Sequence, residues 1–310
     1  MSVAGKLRIG WIGAGRMGFD MAKKLAKSGC DISVWNRTRS KAEPLAADGA
    51  RIVSEVSELA GCDLVFSMLS TWDDLKGVIL GPKGLLSAPK DKRPRILIDC
   101  TSISAEGSAE LRAALKEHGI QMLAAPVSGN AKVVKAGKLS FVVSGPKPAF
   151  EEVAPLMKLM GQEASYVGEG DVARFVKICH NVFLGVMIQS LAEITVLAEK
   201  AGVPRHAFLD FLNKSVMGSM FTRYKTPALV NLDFHVTFTP YLLRKDLDLG
   251  LEAARKNEVP MPLASLTRDM VQAMMGAGFS EHDFAALLLQ QAKLSGVELK
   301  SENIPVSDGL

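Results

Sequence analysis

The sequence predicts an α/β chain in which a doubly wound parallel sheet is followed by an all-α C-terminal domain, the two joined by a long interdomain helix. Three observations lead there. Short β-branched strands alternate with helical segments through the first half, the rhythm of βαβ units. That alternation stops past Tyr166, and the rest of the chain shows helical periodicity broken at Gly202–Pro204, Pro227, Pro240 and Pro260–Pro262. Between the two regimes, Asp171 to Ala201 contains no proline and reads as one helix, apolar nearly all round from Val182 to Ile188, as suits a helix buried between domains or subunits.

Taken in order, Leu7–Ile12 is the first strand, Gly15–Ser28 the first helix, Asp31–Trp35 the second strand and Ser40–Asp48 the second helix. Strands recur at Leu64–Leu69, Ile96–Asp99, Gln121–Ala124 and Leu139–Val143, and the segments between them carry helical patterns such as Ser104–His118. A parallel sheet covered on both faces accommodates that order. A length of 310 residues exceeds one compact core, since domains cluster at roughly 100 to 200 residues. The boundary is expected near Gly168–Gly170, giving domains 1–168 and 169–310. The polar tail SENIPVSDGL is expected to be a loose terminus or a partner-binding arm.

Composition excludes several classes. With 48% apolar and 23% charged residues the chain has material for a buried core, so disordered and fibrous classes drop out. The 37 basic and 33 acidic residues leave a net charge of +4, scattered rather than massed into a basic tract, so no nucleic-acid partner is expected. Cys30, Cys62, Cys100 and Cys179 show no C-x-x-C spacing, which predicts reduced thiols, a cytoplasmic location and no cysteine metal site. The start, MSVAGKLRIGWIGAG, passes from one Lys–Arg pair straight into a short strand, so no signal peptide is expected. The longest near-uniform apolar run, Val182 to Ile188, is well short of the ~20 residues that cross a bilayer, so no membrane span is expected either.

The first chemical signal is Gly13-Ala14-Gly15-Arg16-Met17-Gly18, which follows a strand and opens a helix. In that context the spacing is a Rossmann dinucleotide fingerprint. Gly13 permits the tight turn, Gly15 lets the backbone approach a pyrophosphate, Gly18 allows close packing of helix on strand, and the helix N-terminus supplies free N–H groups. The alternative is a glycine-rich turn without a ligand. A free ribose 2′-hydroxyl calls for an acidic residue about 20 residues on, at the end of the second strand. That strand ends in Asn36-Arg37-Thr38 instead, while Asp31 sits at its opening, so a 2′-phosphate and NADP(H) rather than NAD(H) are expected. The bland reading is that Arg37 is a solvated surface side chain.

The second signal lies on the long helix. Lys177 and Asn181 are four apart and share a face, with Arg174 one turn earlier on the same stripe. A lysine entering an interdomain cleft has its pKa lowered toward the range of acid–base work, and a neighbouring amide orients a substrate oxygen. A snorkelling or ion-paired lysine fits the spacing equally. His180 competes for the proton-transfer role, or is a packed core histidine.

These residues resemble the β-hydroxyacid dehydrogenase family, which includes 3-hydroxyisobutyrate dehydrogenases and the tartronate semialdehyde and glyoxylate/succinic semialdehyde reductases. The resemblance runs through the whole chain: Ile9-Gly10-Trp11-Ile12 into the glycine turn, Asp99-Cys100-Thr101-Ser102-Ile103, Ala125-Pro126-Val127-Ser128-Gly129, Lys177-Ile178-Cys179-His180-Asn181 and Lys245-Asp246-Leu247. It implies that Lys177 is the catalytic lysine with Asn181 as its partner, and that Ser128, Gly129 and the following Asn130 hold the substrate carboxylate. It further implies that Lys245 faces the cofactor. Met68-Leu69 and Thr101-Ser102, at strand C-termini, would line the nicotinamide side. The chain departs from the family pattern at Ala124 (usually Asp), Asn130 (Gly) and Val133-Val134 (a Gly-Ala pair). Asp171 and Ala173 stand where the family has glycines, with Gly168 and Gly170 close by, and His180 stands where Asn is common.

The function expected is therefore NAD(P)-dependent hydride transfer to or from a small β-hydroxy acid or its semialdehyde, with Lys177 as general acid–base. Domain 1–168 would bind NADP and domain 169–310 would serve substrate binding and the association of a homodimer or homotetramer. Three alternatives stand beside it. An S-adenosylmethionine methyltransferase also uses a glycine turn, but wants an acidic ribose ligand where Asn36-Arg37 stand. A non-catalytic nucleotide-binding scaffold has no use for Lys177 and Asn181. Imine reductases resemble this architecture and usually lack the lysine.

Overall fold

A computed structural model of the chain describes residues 7–310; residues 1–6, on which part of the reading of the N-terminal start depends, lie outside the described residues. In chain order the elements are β1 (Arg8–Ile12), α1 (Gly18–Lys27), β2 (Asp31–Trp35), β3 (Arg51–Ile52), β4 (Leu64–Ser67), α2 (Trp72–Leu80), β5 (Ile96–Asp99), α3 (Ala105–Glu117), β6 (Gln121–Ala124), β7 (Val127–Ser128), α4 (Ala131–Lys135), β8 (Ser140–Ser144), α5 (Lys147–Met160) and β9 (Glu163–Gly168). Helices follow alone: α6 (Val172–Lys200), α7 (Arg205–Lys214), α8 (Met220–Asn231), α9 (Pro240–Lys256), α10 (Pro262–Met274) and α11 (Leu287–Leu294). The chain divides into two compact units at Lys177 and Ile178, inside α6.

The first unit is built on a nine-stranded sheet of order β3-β2-β1-β4-β5-β6-β8-β7, with β9 beside β8. Strands β3 to β6 along that path are parallel. Their continuous apolar runs are what a strand buried on both faces needs. Leu64 and Phe66 of β4 face the layer that holds Met21 and Leu25 of α1 and Leu156 of α5. Val65, between them, faces Leu75 and Ile79 of α2 and Leu111 of α3. This alternation is the doubly wound arrangement expected.

Several expectations are corrected. The helix expected over Ser40–Asp48 is two 3₁₀ turns, Arg39–Lys41 and Glu43–Asp48, because Pro44 has no N–H to give an α-helical ladder. The sheet is not parallel throughout, since β8 runs antiparallel to β6 and β7. Strand structure does not stop at Tyr166 but continues to Gly168 in β9. Pro227 lies inside α8, whereas Pro240 and Pro262 open α9 and α10 at the position where a missing N–H costs nothing.

In the second unit Val182, Ile188, Leu191 and Val196 of α6 pack with Leu209, Leu229, Leu243, Leu247, Val271 and Phe284. Gly250 lets α9 approach closely, since a Cβ there would lie 2.2 Å from Val182 Cγ2. Helix α6, 29 residues with a mean hydropathy of 1.6 over its most apolar window, is long and apolar enough to cross a bilayer by composition alone, longer than the short apolar run suggested. Half of that window is buried within the protein, so packing accounts for part of its apolarity. The C-terminal tail is tied down rather than loose: Glu302 accepts N–H bonds from Arg205 and His206 at 2.7 and 3.1 Å, and Asn231 donates to the Ile304 carbonyl at 2.9 Å.

Candidate active site

Parallel strands deliver their C-terminal ends to one edge of a sheet, and the candidate residues of the first unit leave from that edge. After β1 the chain turns at Gly13, whose φ of +101° disfavours any side chain and whose Cβ would sit 2.3 Å from the Met68 carbonyl oxygen. A Cβ on Gly18 would meet the Gly13 carbonyl at 2.1 Å, so helix and turn touch there. Gly15 has open space above it, and no side chain caps the N-terminus of α1. A pyrophosphate has both room and unclaimed helix-terminal N–H groups at that point, so the residues present fit a dinucleotide. Ala14 is buried and Arg16 and Met17 form the turn into the helix.

Asn36, directly after β2, braces this turn: its Oδ1 accepts the Ala14 N–H at 2.8 Å, and its amide donates to the Thr38 carbonyl at 2.8 Å. Arg37 is 82% exposed on its side chain and donates to Asp74 at 2.8 Å. Asp74 is held in turn by Thr71, which caps α2 and donates to its other oxygen at 2.9 Å. No sequence pattern announces a carboxylate beside Arg37, because Asp74 lies 37 residues away in the first turn of α2 and meets it only in the fold. Asp31 opens β2, at the opposite edge of the sheet from the turn.

Met68-Leu69 follow β4 and Thr101-Ser102 follow β5. Thr101, fully buried, accepts the Leu69 N–H on its hydroxyl at 3.1 Å, joining the two segments. Below them Ser67 donates to Asp99 at 2.7 Å, and Asp99 accepts the Thr101 N–H at 3.2 Å. Burial pushes the neighbouring Cys100 thiol far up, with the Asp99 charge adding to it, so that cysteine stays protonated and is no nucleophile.

Ser128 ends β7, paired with Ser140 of β8, and is half-buried; Gly129 is exposed and Asn130 half-buried. Gly129 has φ +133°, and a Cβ there would lie 2.7 Å from Val133 Cγ1. The Asn130 side chain caps α4 by accepting the Val133 N–H at 3.1 Å. Val133 and Val134, in place of smaller residues, are buried under this short helix, and Ala124 is fully buried in β6. The atypical residues thus support the loop from below rather than line its open side.

Helix α6 enters from a polar anchor. Asp171 accepts bonds from Ser108 at 2.5 Å and Arg112 at 2.8 Å. Burial raises its carboxyl, but those hydrogen bonds and the Arg112 charge outweigh burial and hold it below the usual carboxylate range. Arg174 is 1% exposed and pairs with Asp99 at 2.5 Å. Lys177, one turn on, is half-buried. Within the second unit, Asn181 is buried, accepts on its Oδ1 from the protonated His180 Nδ1 at 2.9 Å, and donates its amide to Asp246 at 2.6 Å. Lys245 lies 3.3 Å from the other Asp246 oxygen. Asp246 thereby fixes the Asn181 amide, a role the sequence offered only as the middle of a Lys-Asp-Leu motif. Among the described residues no group of three or more His, Cys, Asp or Glu is placed to hold a metal ion.

Residues 8–168 match the NAD binding domain of 6-phosphogluconate dehydrogenase, and residues 168–290 match the NAD-binding domain of NADP-dependent 3-hydroxyisobutyrate dehydrogenase. The chain is 30% identical, over 92% of its length and 79% of the relative, to glyoxylate/succinic semialdehyde reductase 2, chloroplastic, of Arabidopsis thaliana. It is also 30% identical to the NAD-dependent L-serine dehydrogenase of Pseudomonas aeruginosa, over 90% of this chain and 96% of that one. Among solved structures, 3-hydroxyisobutyrate dehydrogenase of Mycobacterium tuberculosis superposes with a TM-score of 0.78 at 28% identity, covering 91% of this chain and 97% of its own.

Proposed function

We propose a reaction for this chain from one premise, that it belongs to the β-hydroxyacid dehydrogenase family. It is an NAD(P)-dependent oxidoreductase acting on the CH–OH group of hydroxy acids. In the proposed reaction a small β-hydroxy acid and its semialdehyde are interconverted, and Lys177 gives or takes the proton on the reacting oxygen. The bound nicotinamide supplies or accepts the hydride. Ser128, Gly129 and the Asn130 backbone hold the substrate carboxylate, and Asn181, fixed by Asp246, orients the oxygen that Lys177 serves. Residues 1–168 carry the cofactor and 169–310 complete the substrate side and the subunit contacts. Exposed Phe183 and Leu197 on α6, 63% and 69% accessible, support association as a homodimer or homotetramer.

The observation that carries this reading is convergence: the glycine turn after β1, Met68-Leu69 after β4 and Thr101-Ser102 after β5 leave the same edge of one parallel sheet, joined by the Leu69–Thr101 bond. Arg37 and Thr38 after β2, with no acidic residue at that strand end, support NADP(H) over NAD(H). A screen of 2- and 3-hydroxy acids with each cofactor, read by absorbance of the reduced nicotinamide, tests class and cofactor together. NADPH should bind at least tenfold more tightly than NADH, about 1.4 kcal/mol, by calorimetry. Equal affinities would remove the 2′-phosphate argument; turnover only of substrates without a carboxylate would remove the substrate class.

A further inference from the structure

Arg174 is the most deeply buried cation among the described residues of the first unit, at 1% exposure, and all three of its side-chain nitrogens are engaged. Nε donates to Ser108 Oγ at 3.2 Å, one terminal nitrogen donates to the Thr101 carbonyl, and the other donates to the Asp99 carbonyl at 3.3 Å and to the Asp99 carboxylate at 2.5 Å. The partners are not scattered. Asp99 is the last residue of β5, Ser67, which donates to it, is the last residue of β4, and Thr101 begins the segment placed on the nicotinamide side.

Stability alone does not explain such a pair. Two buried charges cost more desolvation than they usually recover, and apolar residues of similar volume often serve a fold as well. What an apolar pair cannot supply is direction. A planar fork that meets one carboxylate and two carbonyls fixes both the distance and the rotation of the helix that bears it, which a lysine, with one freely turning donor group, does not. Arg174 lies in the first turns of α6, and Lys177 is three residues later, roughly 4.5 Å farther along the axis at 1.5 Å per residue. The glycines that the family resemblance expects just before this point are Asp171 and Ala173 here. Asp171 is itself bound by Arg112 and Ser108, so the entry to the helix is held by charge where backbone freedom was expected.

We propose that Arg174 is a positioning residue for Lys177: its fork locks the first turn of α6 to the ends of β4 and β5, and so sets the height and rotation at which the Lys177 amine meets the reacting oxygen. The inference rests on Lys177 being the proton-transfer group.

The test compares Arg174→Gln, Arg174→Lys and, as a stability control, Leu156→Ala, which leaves a cavity in the core beneath α5 and is not among the residues that hold Arg174 or Asp171. Each is measured for kcat, KM, NADPH affinity by calorimetry, thermal unfolding, the pH profile of kcat and the primary isotope effect with NADPH deuterated at the transferred position. Arg174→Gln should lower kcat at least tenfold, leave NADPH affinity within threefold, enlarge the isotope effect and shift the pH profile. Arg174→Lys should recover part of kcat, because it keeps a cation opposite Asp99 but loses the fork. Leu156→Ala should lose thermal stability with kcat and isotope effect unchanged. If Arg174→Gln loses stability like Leu156→Ala but keeps kcat, isotope effect and pH profile, the proposal is overturned and the arginine is merely structural. Should Arg174→Gln fail to fold, the same criteria apply to Arg174→Lys. Lys177→Ala is run alongside: retained turnover there overturns the reading of Lys177 and this proposal with it. Lost turnover in Lys177→Ala with normal kinetics in both Arg174 variants overturns this proposal alone.

Discussion

Two titratable groups near one another on α6 compete for the proton, and their surroundings differ. Lys177 is half-buried at the end of the first unit, whereas His180 is more exposed and spends its Nδ1 on Asn181. A positioned acid–base group contributes roughly 10² to 10⁴ in rate, so Lys177→Ala should cut kcat by that much with NADPH affinity nearly intact. His180→Asn should cost far less, since asparagine keeps a polar contact to Asn181. Measuring kcat across pH for both variants decides it: near-normal turnover in Lys177→Ala with a flattened profile in His180→Asn reverses the assignment. A second residue-scale effect concerns Asp74. Its carboxylate holds Arg37 at 2.8 Å and, on the proposed NADP(H) reading, would compete with the 2′-phosphate for it, in an exposed pair whose own contribution to stability is small. Asp74→Asn should therefore raise the preference for NADPH over NADH several-fold with little change in melting temperature; an unchanged ratio would mean that Arg37 does not meet the phosphate.

At the scale of elements, α7 starts at Pro204, which offers no side-chain cap, and the C-terminal tail provides one from 97 residues away through Glu302. Burial raises the Glu302 carboxyl, but its bonds from His206 and Arg205 prevail and keep it low, so it is ionised where it meets the helix N-terminus. Glu302→Ala should cost roughly 1 kcal/mol, or about 2–4 °C in the unfolding of the second unit, as read by calorimetry. No change would show that the tail only rests on the surface. This cap also marks where sequence patterns stop being informative. Strands β1, β2, β4, β5 and β6 and the glycine turn were legible because period and punctuation are local signals. Strands β3 and β7, two residues each, are too short to show a period, and β8 betrays its antiparallel direction only through its partners. At the site, the spacing of Lys177 and Asn181 was visible on one helix. The groups that hold them, Asp99 for Arg174 and Asp246 for Asn181, lie 75 and 65 residues away and depend on tertiary packing.

Across the whole molecule, each unit contains a carboxylate whose pKa is depressed, half-buried Asp171 in the first and buried Asp283 in the second. Burial pushes the Asp283 carboxyl up, but the Lys225 charge at 2.6 Å and hydrogen bonds from Lys225, Thr237 and Ala285 outweigh it and hold it low. A carboxyl held below its unfolded value of about 3.8 binds fewer protons folded than unfolded. Its stabilisation is therefore fully present above that value and is lost as pH falls through the folded pKa. Both units should keep a level melting temperature from neutral pH down to about 5 and lose it below about 4, with no matching loss on the alkaline side from these groups. Asp283→Asn removes the carboxylate that buried Lys225, 3% exposed, meets at 2.6 Å, at a cost of roughly 3–5 kcal/mol near neutral pH. Below about 3.8 the unfolded chain takes up a proton at Asp283 that the folded chain resists, so the gap between variant and native protein should narrow as pH falls. Thermal unfolding of both proteins between pH 3 and 8 reads this directly. A gap that stays constant or widens in acid would show that the Lys225–Asp283 charge interaction is not what Asp283 contributes.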